Sequence, residues 1–272
     1  MSTTAQQPDR ETRTWTRPPL IKDPRKRAAL YIGIVAYLFW SLSSIEVDIP
    51  RLLEGLERAS EFFAAALQPD FLTRRVDIWQ GFLESSTMTA VATTVGVALS
   101  VPLGLGAASN LSARPVYLIC RAILAITRAF HGIILAILFV AMFGFGPFAG
   151  VVTLVVSTIG FLGKLIAEEI EAIDWTCVEA VESTGASWWQ KVVYGVAPQI
   201  MPRFIGLTLY RLDINFRESA IIGIVGAGGI GATLITAFYR YEFDSVAAIL
   251  LLIIGAVYAF EYLSGAIRRR VL

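Results

Sequence analysis

Charged side chains inside apolar stretches are the residues best suited to chemistry in this sequence. Three arginines and the single histidine lie in runs of hydrophobic residues: Arg128, His131, Arg211 and Arg217. A guanidinium presents paired donors that match the oxygens of an oxyanion, and a histidine titrates near neutral pH. Ionisable groups in such surroundings usually face a cavity or a partner of opposite charge. The pattern therefore predicts either an anion-binding route or a set of structural ion pairs.

The sequence has no motif for catalysis or for metal binding. Its two cysteines, Cys120 and Cys177, match no metal-ligand or redox spacing, and one histidine completes no catalytic triad. No G-x-x-x-x-G-K segment followed by Ser or Thr is present, so the chain has no P-loop with which to hold ATP. We therefore predict no catalytic residue, no metal and no cofactor in this chain. A net charge of +1 gives no reason to expect a nucleic-acid partner.

Apolar stretches long enough to cross a bilayer explain the composition. Hydrophobic residues occupy 56% of the 272 positions, charged residues only 17%, and the mean hydropathy is +0.64. Stretches of about 18 or more apolar residues are candidate membrane spans. Six such stretches are present, at residues 28–45, 79–108, 116–143, 147–167, 202–226 and 246–266. The sequence therefore predicts an all-α membrane protein with about six transmembrane helices.

The flanking segments predict the topology. Basic residues gather in the N-terminal tail 1–27 and at the C-terminal end 268–272, and the positive-inside rule places both in the cytoplasm. The tail is polar and carries no cleavable signal. Residues 46–78 are rich in acidic side chains, which favours the external face. Four apolar residues recur there at helical spacing and predict an amphipathic helix at the membrane interface: Leu53, Leu56, Phe63 and Leu67.

Spacing in the third span predicts which charges are neighbours. Arg121 and Arg128 are seven residues apart and share one helix face, with His131 three residues beyond Arg128. Arg121 lies near the start of the span, from which a long side chain can reach the membrane surface. Arg128 lies deeper, so we expect it to have either a pathway role or a buried partner. For His131 the alternative to a pathway role is a packed, hydrogen-bonded side chain.

The fifth span has the densest charge. Asp213 and Arg217 are four residues apart and are predicted to pair on one helix face. Arg211, Asn215 and Glu218 line up on another face. These residues either lock helices together by salt bridges at a subunit interface or offer positive potential to an anion that crosses the membrane.

The segment 168–201, between the fourth and fifth spans, carries the most specific motif. Glu179, Ala180 and Val181 are followed by Gly185 and, about a dozen residues later, by Pro198. This spacing resembles the signature loop of ABC importer permeases, in which Val181 would be a third alanine. The resemblance implies the ABC importer permease fold and a short cytoplasmic coupling helix that docks into an ATPase, with Glu179, Ala180, Gly185 and Pro198 at the matching positions. Residues 183–185 are predicted to divide the loop into two short helices; the alternative is a plain surface loop.

Further motifs between residues 79 and 267, the predicted permease core, resemble one branch of that family, the phosphonate-uptake permeases. They are Glu84-Ser85, Asn110, Arg128-Ala129, residues 146–150, residues 163–165, Tyr210-Arg211 and residues 225–231. That branch imports phosphonates, phosphite and related phosphorus oxyanions. It tends to carry a proline and an acidic residue where this chain has His131 and Gly132. We therefore expect a small phosphorus oxyanion as cargo, without a choice among them.

The resemblance also implies the partners and the place of the chain. A permease of this branch works as a pair of copies, here a homodimer, with two ATP-binding subunits that bind ATP and Mg and with an external substrate-binding protein. The chain itself would be a multi-pass protein of the inner membrane. Six groups are expected along the substrate route: Arg128, Arg211, Arg217, Ser85, Thr87 and His131.

The glycine cluster that ends the fifth span contains a literal G-x-G-x-x-G at Gly226, Gly228 and Gly231, with Gly229 between them. A dinucleotide-binding fold needs further βαβ units, and only 41 residues follow Gly231, so that reading is rejected. We predict instead a non-helical turn near the outer end of the span, where glycines allow close approach of backbone from the paired subunit.

The second span combines hydroxyls with small residues. Gly96, Ser100 and Gly104 recur every four residues and predict close helix packing. Ser85 and Thr87, near its start, either line a pathway or help to hold helices together. An ion-coupled secondary transporter or channel for an anion is the alternative to the ABC permease, and a membrane enzyme is a more remote one. A secondary transporter would often show inverted repeats, and none is visible.

Overall fold

The computed structural model describes residues 23–44 and 49–271. Those residues form helices joined by short turns, and no β-strand occurs among them, which confirms the predicted all-α class. The chain divides into two units, residues 1–58 and residues 59–272. Most of the predicted N-terminal tail, residues 1–22, lies outside the described residues.

The first unit contains α1 (Pro24–Ser43) and the first half of α2 (Ile49–Ala66). α1 begins at Asp23, whose side chain accepts a hydrogen bond from the backbone N–H of Arg25 at 3.0 Å. Pro24 then occupies the first helical position, where its missing N–H costs nothing. α2 includes Leu53, Leu56 and Phe63 of the amphipathic helix predicted within residues 46–78, and Leu53 and Leu56 are exposed. A position at the membrane interface stays a prediction.

The second unit holds the rest of the chain. After α2 come α3 (Arg75–Gly106), α4 (Arg114–Ala129), α5 (Gly132–Phe143), α6 (Pro147–Glu171), α7 (Trp175–Glu182) and α8 (Trp188–Gln190). A π-helical stretch (Lys191–Val196) joins α8 to α9 (Ala197–Gly223), and α10 (Ile230–Tyr239) and α11 (Phe243–Val271) complete the chain. α3 and α6 lie side by side at the centre, and α9 packs on both.

Four helical segments among the described residues are long and apolar enough to cross a membrane. They are α3, α6, the continuous segment Trp188–Gly223, and α11 as far as Ile267. The bent pair α4 and α5 raises the number to five if it counts as one span. α1 is not among these segments, and residue 45, where its apolar run ends, lies outside the described residues. The count of six spans therefore stays a prediction.

The predicted third span is not one continuous helix, so that expectation is wrong. α4 and α5 meet at an angle of 90°. Phe130 has an extended backbone, and His131 caps α5 with an extended ψ of 145°. Because the helix ends at Ala129, the three-residue spacing between Arg128 and His131 does not place them on one helix face.

Small residues allow α3 and α6 to pack closely, as predicted for the second span. A Cβ atom on Gly96 would lie 2.5 Å from Cγ2 of Thr158, and one on Gly104 would lie 2.7 Å from Cγ2 of Ile166. Ser100 is fully buried between them and donates its hydroxyl to the carbonyl of Gly96 at 2.6 Å. These contacts bring the two helices together through small side chains rather than through large interlocking ones.

The fifth predicted span begins earlier than expected. The helical segment starts at Trp188 and runs for 36 residues, whereas the apolar run alone predicts a start near Pro202. The second piece of the predicted two-helix loop is therefore continuous with the span. Residues 224–229 form the non-helical turn that the glycines predict. α10, which follows, was not predicted, because ten residues are too few to resemble a membrane span.

Candidate anion-binding cavity

A cavity of about 600 Å³ lies where α4, α5, α6 and α9 meet. Four ionisable side chains line it, together with hydroxyls and apolar groups: Arg128, His131, Arg211 and Glu218. The bend between α4 and α5 forms one wall, and α6 and α9 form the opposite one. Three of the six residues predicted for the substrate route, Arg128, His131 and Arg211, are therefore brought together.

Arg211 is the buried charge of this cavity, with a relative exposure of 3%. Its guanidinium donates to the Ser157 hydroxyl at 2.8 Å, to the Thr158 hydroxyl at 3.1 Å and to a Glu218 carboxylate oxygen at 3.1 Å. It also lies 5.4 Å from the centre of the Phe161 ring. Every partner comes from α6 or from α9 itself, so the guanidinium is fixed in place before any ligand arrives.

Arg128 lies at the other side of the cavity and is exposed. No ion pair involving Arg128 occurs within residues 23–44 and 49–271. Its stem passes close to α6 because that helix has a glycine there: a Cβ atom on Gly160 would lie 2.7 Å from Cγ of Arg128. In contrast to Arg211, this guanidinium remains available to a ligand that enters the cavity.

His131 stands at the break between α4 and α5. Its Nδ1 atom accepts a hydrogen bond from the backbone N–H of Ile133 at 3.4 Å, and so it caps the first turn of α5. The residue is exposed to the cavity. The histidine therefore makes a hydrogen bond and lines the cavity without being packed, and its pathway role stays a prediction.

The remaining residues predicted for the route lie elsewhere. Arg217 is half exposed and pairs with Asp213 on the same helix, as its spacing predicts, but it does not line the cavity. Ser85 is fully buried, and its hydroxyl accepts a hydrogen bond from the N–H of Ile230 at 2.9 Å. Thr87 is exposed and donates to the carbonyl of Leu83 on its own helix at 2.8 Å.

Arg121 has a partner, whereas its position in the sequence favoured extension toward the membrane surface. Its guanidinium donates to the Glu171 carboxylate at 2.8 Å and to the carbonyl of Ala107 at 2.9 Å. The extension of this arginine toward the membrane surface stays a prediction. A carboxylate at the end of α6, which spacing within one span cannot reveal, holds it.

Asn215 connects the cavity to the interior. Its amide donates to the hydroxyls of Thr93 at 2.8 Å and Thr158 at 3.0 Å, and it is fully buried. Thr158 in turn accepts from Arg211, so that α3, α6 and α9 share one hydrogen-bonded network. The predicted alignment of Arg211, Asn215 and Glu218 on one helix face is confirmed.

α7 carries the coupling motif on its surface. Glu179 and Ala180 lie on this helix and are exposed. Gly185 lies in the turn after it rather than on a helix, with a φ of +80° that favours glycine. Pro198 is in the first turn of α9. Gly185 thus lies in the helix break predicted at residues 183–185, where its left-handed backbone follows the end of α7.

Contacts with the following helix hold α7 in place. Val178 is fully buried, and a Cβ atom on Gly195 would lie only 3.2 Å from its Cα atom. Lys191 pairs with Glu182 at 2.8 Å, and the Gln199 amide donates to the carbonyl of Asp174 at 3.2 Å. The exposed face of α7 is therefore presented by a helix fixed at both ends.

The glycine turn is packed against the chain's own segments. The carbonyl of Gly226 accepts a hydrogen bond from the N–H of Gly146 at 3.0 Å. A Cβ atom on Gly228 would lie 2.8 Å from a carboxylate oxygen of Glu84, and one on Gly229 would collide with the Ser85 hydroxyl. Close backbone approach thus occurs within one chain. Without a strand among the described residues, this part of the chain forms no dinucleotide-binding fold.

Thr127, Ser157 and Phe161 also line the cavity, and reasoning from the sequence did not identify them. The hydroxyl-rich second span predicted Ser85 and Thr87 for the substrate route instead. A signal did exist, because Ser157 is a hydroxyl residue in the middle of the apolar span 147–167. Its proximity to Arg211 depends on packing between α6 and α9, which a single sequence does not reveal.

Two curated relatives resemble the chain over most of its length. It is 43% identical over 209 residues to the phosphate-import permease protein PhnE of Mycolicibacterium smegmatis, covering 76% of this chain and 39% of that protein. It is 34% identical over 244 residues to the phosphite transport system permease protein PtxC of Stutzerimonas stutzeri, covering 89% and 88% respectively. The chain thus spans well under half the length of the mycobacterial relative and most of the other.

A solved structure has the same fold. The chain matches a permease chain of the MetNI methionine ABC transporter, in inward-facing conformations, with a TM-score of 0.66 and 25% identity. The match covers 74% of this chain and 100% of that one. The matched part of the chain therefore adopts the fold of an ABC importer permease.

The family described as binding-protein-dependent transport system inner membrane component matches residues 100–272. This region includes the cavity, α7 and the glycine turn. The chain therefore belongs to the family of binding-protein-dependent transport system inner membrane components.

Proposed function

We propose that this chain is the permease subunit of an ATP-driven importer that moves a small phosphorus oxyanion into the cytoplasm. The observation that carries the proposal is one cavity lined both by a buried arginine that hydrogen bonds hold in place and by an exposed arginine. Arg211 supplies a positioned charge, and Arg128 supplies donors that no described residue occupies. Guanidinium groups bind phosphorus-bound oxygens in pairs, so the two sides suit a tetrahedral oxyanion.

The names of the relatives support the same cargo class. One relative is a phosphate-import permease and the other belongs to a phosphite transport system. Both anions present tetrahedral phosphorus with several oxygens. We propose that phosphonate, phosphite and phosphate are the candidate cargoes, and that Arg128 and Arg211 contact them while Arg217, paired with Asp213, supports the helix.

The importer is proposed to need partners. A second copy of the chain would complete the route, two ATP-binding subunits would supply energy, and an external binding protein would deliver the anion. α7, with Glu179 and Ala180 exposed, would dock onto the ATP-binding subunit. Both chain ends are proposed to lie in the cytoplasm, because basic residues flank them.

Uptake by the reconstituted complex tests the proposal. We expect Arg128→Gln and Arg211→Gln to reduce uptake of phosphite or methylphosphonate while the complexes still assemble and hydrolyse ATP. Arg203→Gln is the matched control, because Arg203 pairs with Glu169 outside the cavity. Parental uptake by both cavity variants would contradict the proposed route.

The composition of the purified complex tests the proposed partners. It also distinguishes an ABC importer from an ion-coupled secondary transporter. We expect two permease copies and a bound ATPase, visible by native mass spectrometry. Transport by the purified permease alone, driven by an ion gradient and indifferent to ATP, would instead identify an ion-coupled secondary transporter.

A further inference from the structure

A carboxylate in a cavity that is proposed to bind an anion requires an explanation. Glu218 lines the same cavity as Arg128 and Arg211, and its side chain is 31% exposed. A negative charge there repels any anionic cargo, so a cavity that only attracted anions would bind them better without Glu218. Its place in the cavity therefore points to a role in choosing among anions.

Hydrogen bonds hold one of the two carboxylate oxygens of Glu218 in place. Oε2 accepts a hydrogen bond from the Arg211 guanidinium at 3.1 Å and another from the Ser157 hydroxyl at 3.5 Å. Oε1 accepts none of the hydrogen bonds found among residues 23–44 and 49–271. Because an ionised carboxylate can only accept, Oε1 offers an acceptor to the cavity and nothing else.

The charges of the cavity favour one ionic form of the cargo. Two guanidinium groups and one carboxylate leave a single net positive charge among these three side chains. That balance suits a singly charged anion better than a doubly charged one. A phosphonate, phosphite or phosphate that carries a single charge retains a proton on one oxygen, and this P–OH group is a hydrogen-bond donor.

We propose that Glu218 is a specificity-determining residue that accepts a hydrogen bond from the P–OH group of a singly protonated phosphorus oxyanion. The inference rests on the proposed function of the cavity. Arg128 and Arg211 would hold the ionised oxygens, and Oε1 of Glu218 would hold the protonated one. An anion of the same size and charge without a hydroxyl would place an oxygen lone pair against the carboxylate and be rejected.

Methylphosphonate and methanesulfonate are the probes that isolate this contact. At neutral pH the singly charged forms of both have a methyl group and three oxygens, and they differ by the proton that only the phosphonate retains. Binding is measured by calorimetry on the purified permease–ATPase complex without the external binding protein, so that selection by that protein does not contribute.

For the parental complex we expect methylphosphonate to bind roughly 10-fold to 100-fold more tightly than methanesulfonate, the range given by one charge-assisted hydrogen bond. Glu218→Gln should reduce that preference to within about threefold, because its amide can donate to a sulfonate oxygen. Glu169→Gln, a carboxylate paired with Arg203 outside the cavity, should leave the preference unchanged. If the amide variant does not assemble, Glu218→Asp should likewise reduce the preference, because its shorter side chain does not reach as far.

An undiminished preference in Glu218→Gln, or in Glu218→Asp where only that variant assembles, overturns the inference. The proposed function would survive that result if Arg128→Gln still weakened binding of both anions. Binding of neither anion to the parental complex, or binding indifferent to Arg128→Gln, would refute the cavity as an anion site and with it the role of Glu218.

Discussion

The guanidinium of Arg121 lies 2.8 Å from the carboxylate of Glu171, which ties the middle of α4 to the last residue of α6. The same carboxylate oxygen accepts the backbone N–H of Ser109 at 2.8 Å, in the turn after α3. One side chain thus joins three helices at the end of the bundle that carries α7.

Removal of this carboxylate should destabilise the fold. We expect Glu171→Ala to lower the free energy of unfolding by about 1 to 3 kcal/mol, because it leaves a half-buried guanidinium and a backbone N–H without their acceptor. Glu168→Ala is the control, since Glu168 pairs with Lys164 on the same helix face. Unfolding in mixed detergent micelles measures both. Equal losses would show that Glu171 acts as an ordinary surface charge.

Ser85 and Thr87 should differ sharply although both were expected on the substrate route. Ser85→Ala removes the acceptor of the buried Ile230 N–H at the start of α10, and we expect the thermal midpoint to fall. Thr87→Ala should be near neutral for stability, because its exposed hydroxyl donates to a carbonyl of its own helix. A fall in uptake in Thr87→Ala with normal stability would restore Thr87 to the route.

Gly231 should tolerate no larger residue. A Cβ atom there would overlap the carbonyl oxygen of Ala220, so Gly231→Ala must separate α10 from α9. We expect loss of monodisperse protein after detergent extraction. Gly255→Ala is the matched control, because Gly255 lies in α11 with no heavy atom of the described chain within 4 Å of its added Cβ. Normal yield of Gly231→Ala would contradict the packing described for this glycine.

We expect Gly185 to affect coupling through its backbone conformation. Its φ of +80° disfavours a β-branched residue, and no described atom lies within 4 Å of an added Cβ. We expect Gly185→Val to reduce uptake per ATP hydrolysed while membrane insertion stays normal. Gly185→Asn should be milder, because asparagine adopts this conformation at lower cost. Parental coupling in Gly185→Val would exclude a role of this turn in docking.

Periodic and motif-bearing parts of the fold were predictable from the sequence. Hydropathy located α3, α6 and α11 within a few residues, and helical spacing gave the Asp213–Arg217 pair and the shared face of Arg211 and Glu218. The glycine turn followed from composition. Each of these features depends on residues close together in the chain, where spacing translates directly into geometry.

Features that depend on residues far apart were not predictable. The break at Phe130 and His131 lies inside a continuous apolar run, so hydropathy could not reveal it. The pairing of Arg121 with Glu171 joins residues 50 positions apart, and the cavity depends on how Ser157 of α6 meets Arg211 of α9. Such contacts are set by helix packing, which one sequence leaves undetermined.

The 90° bend between α4 and α5 has a consequence for the medium around it. His131 accepts hydrogen bonds from the first N–H groups of α5, but the last carbonyls of α4 fall outside any continuous helical ladder, and hydrocarbon chains offer them no hydrogen bonds. The wall of the cavity at this bend must therefore contact water rather than lipid. An anion that reaches Arg128 would then exchange water molecules for guanidinium donors one by one, instead of losing its whole hydration shell in a single costly step.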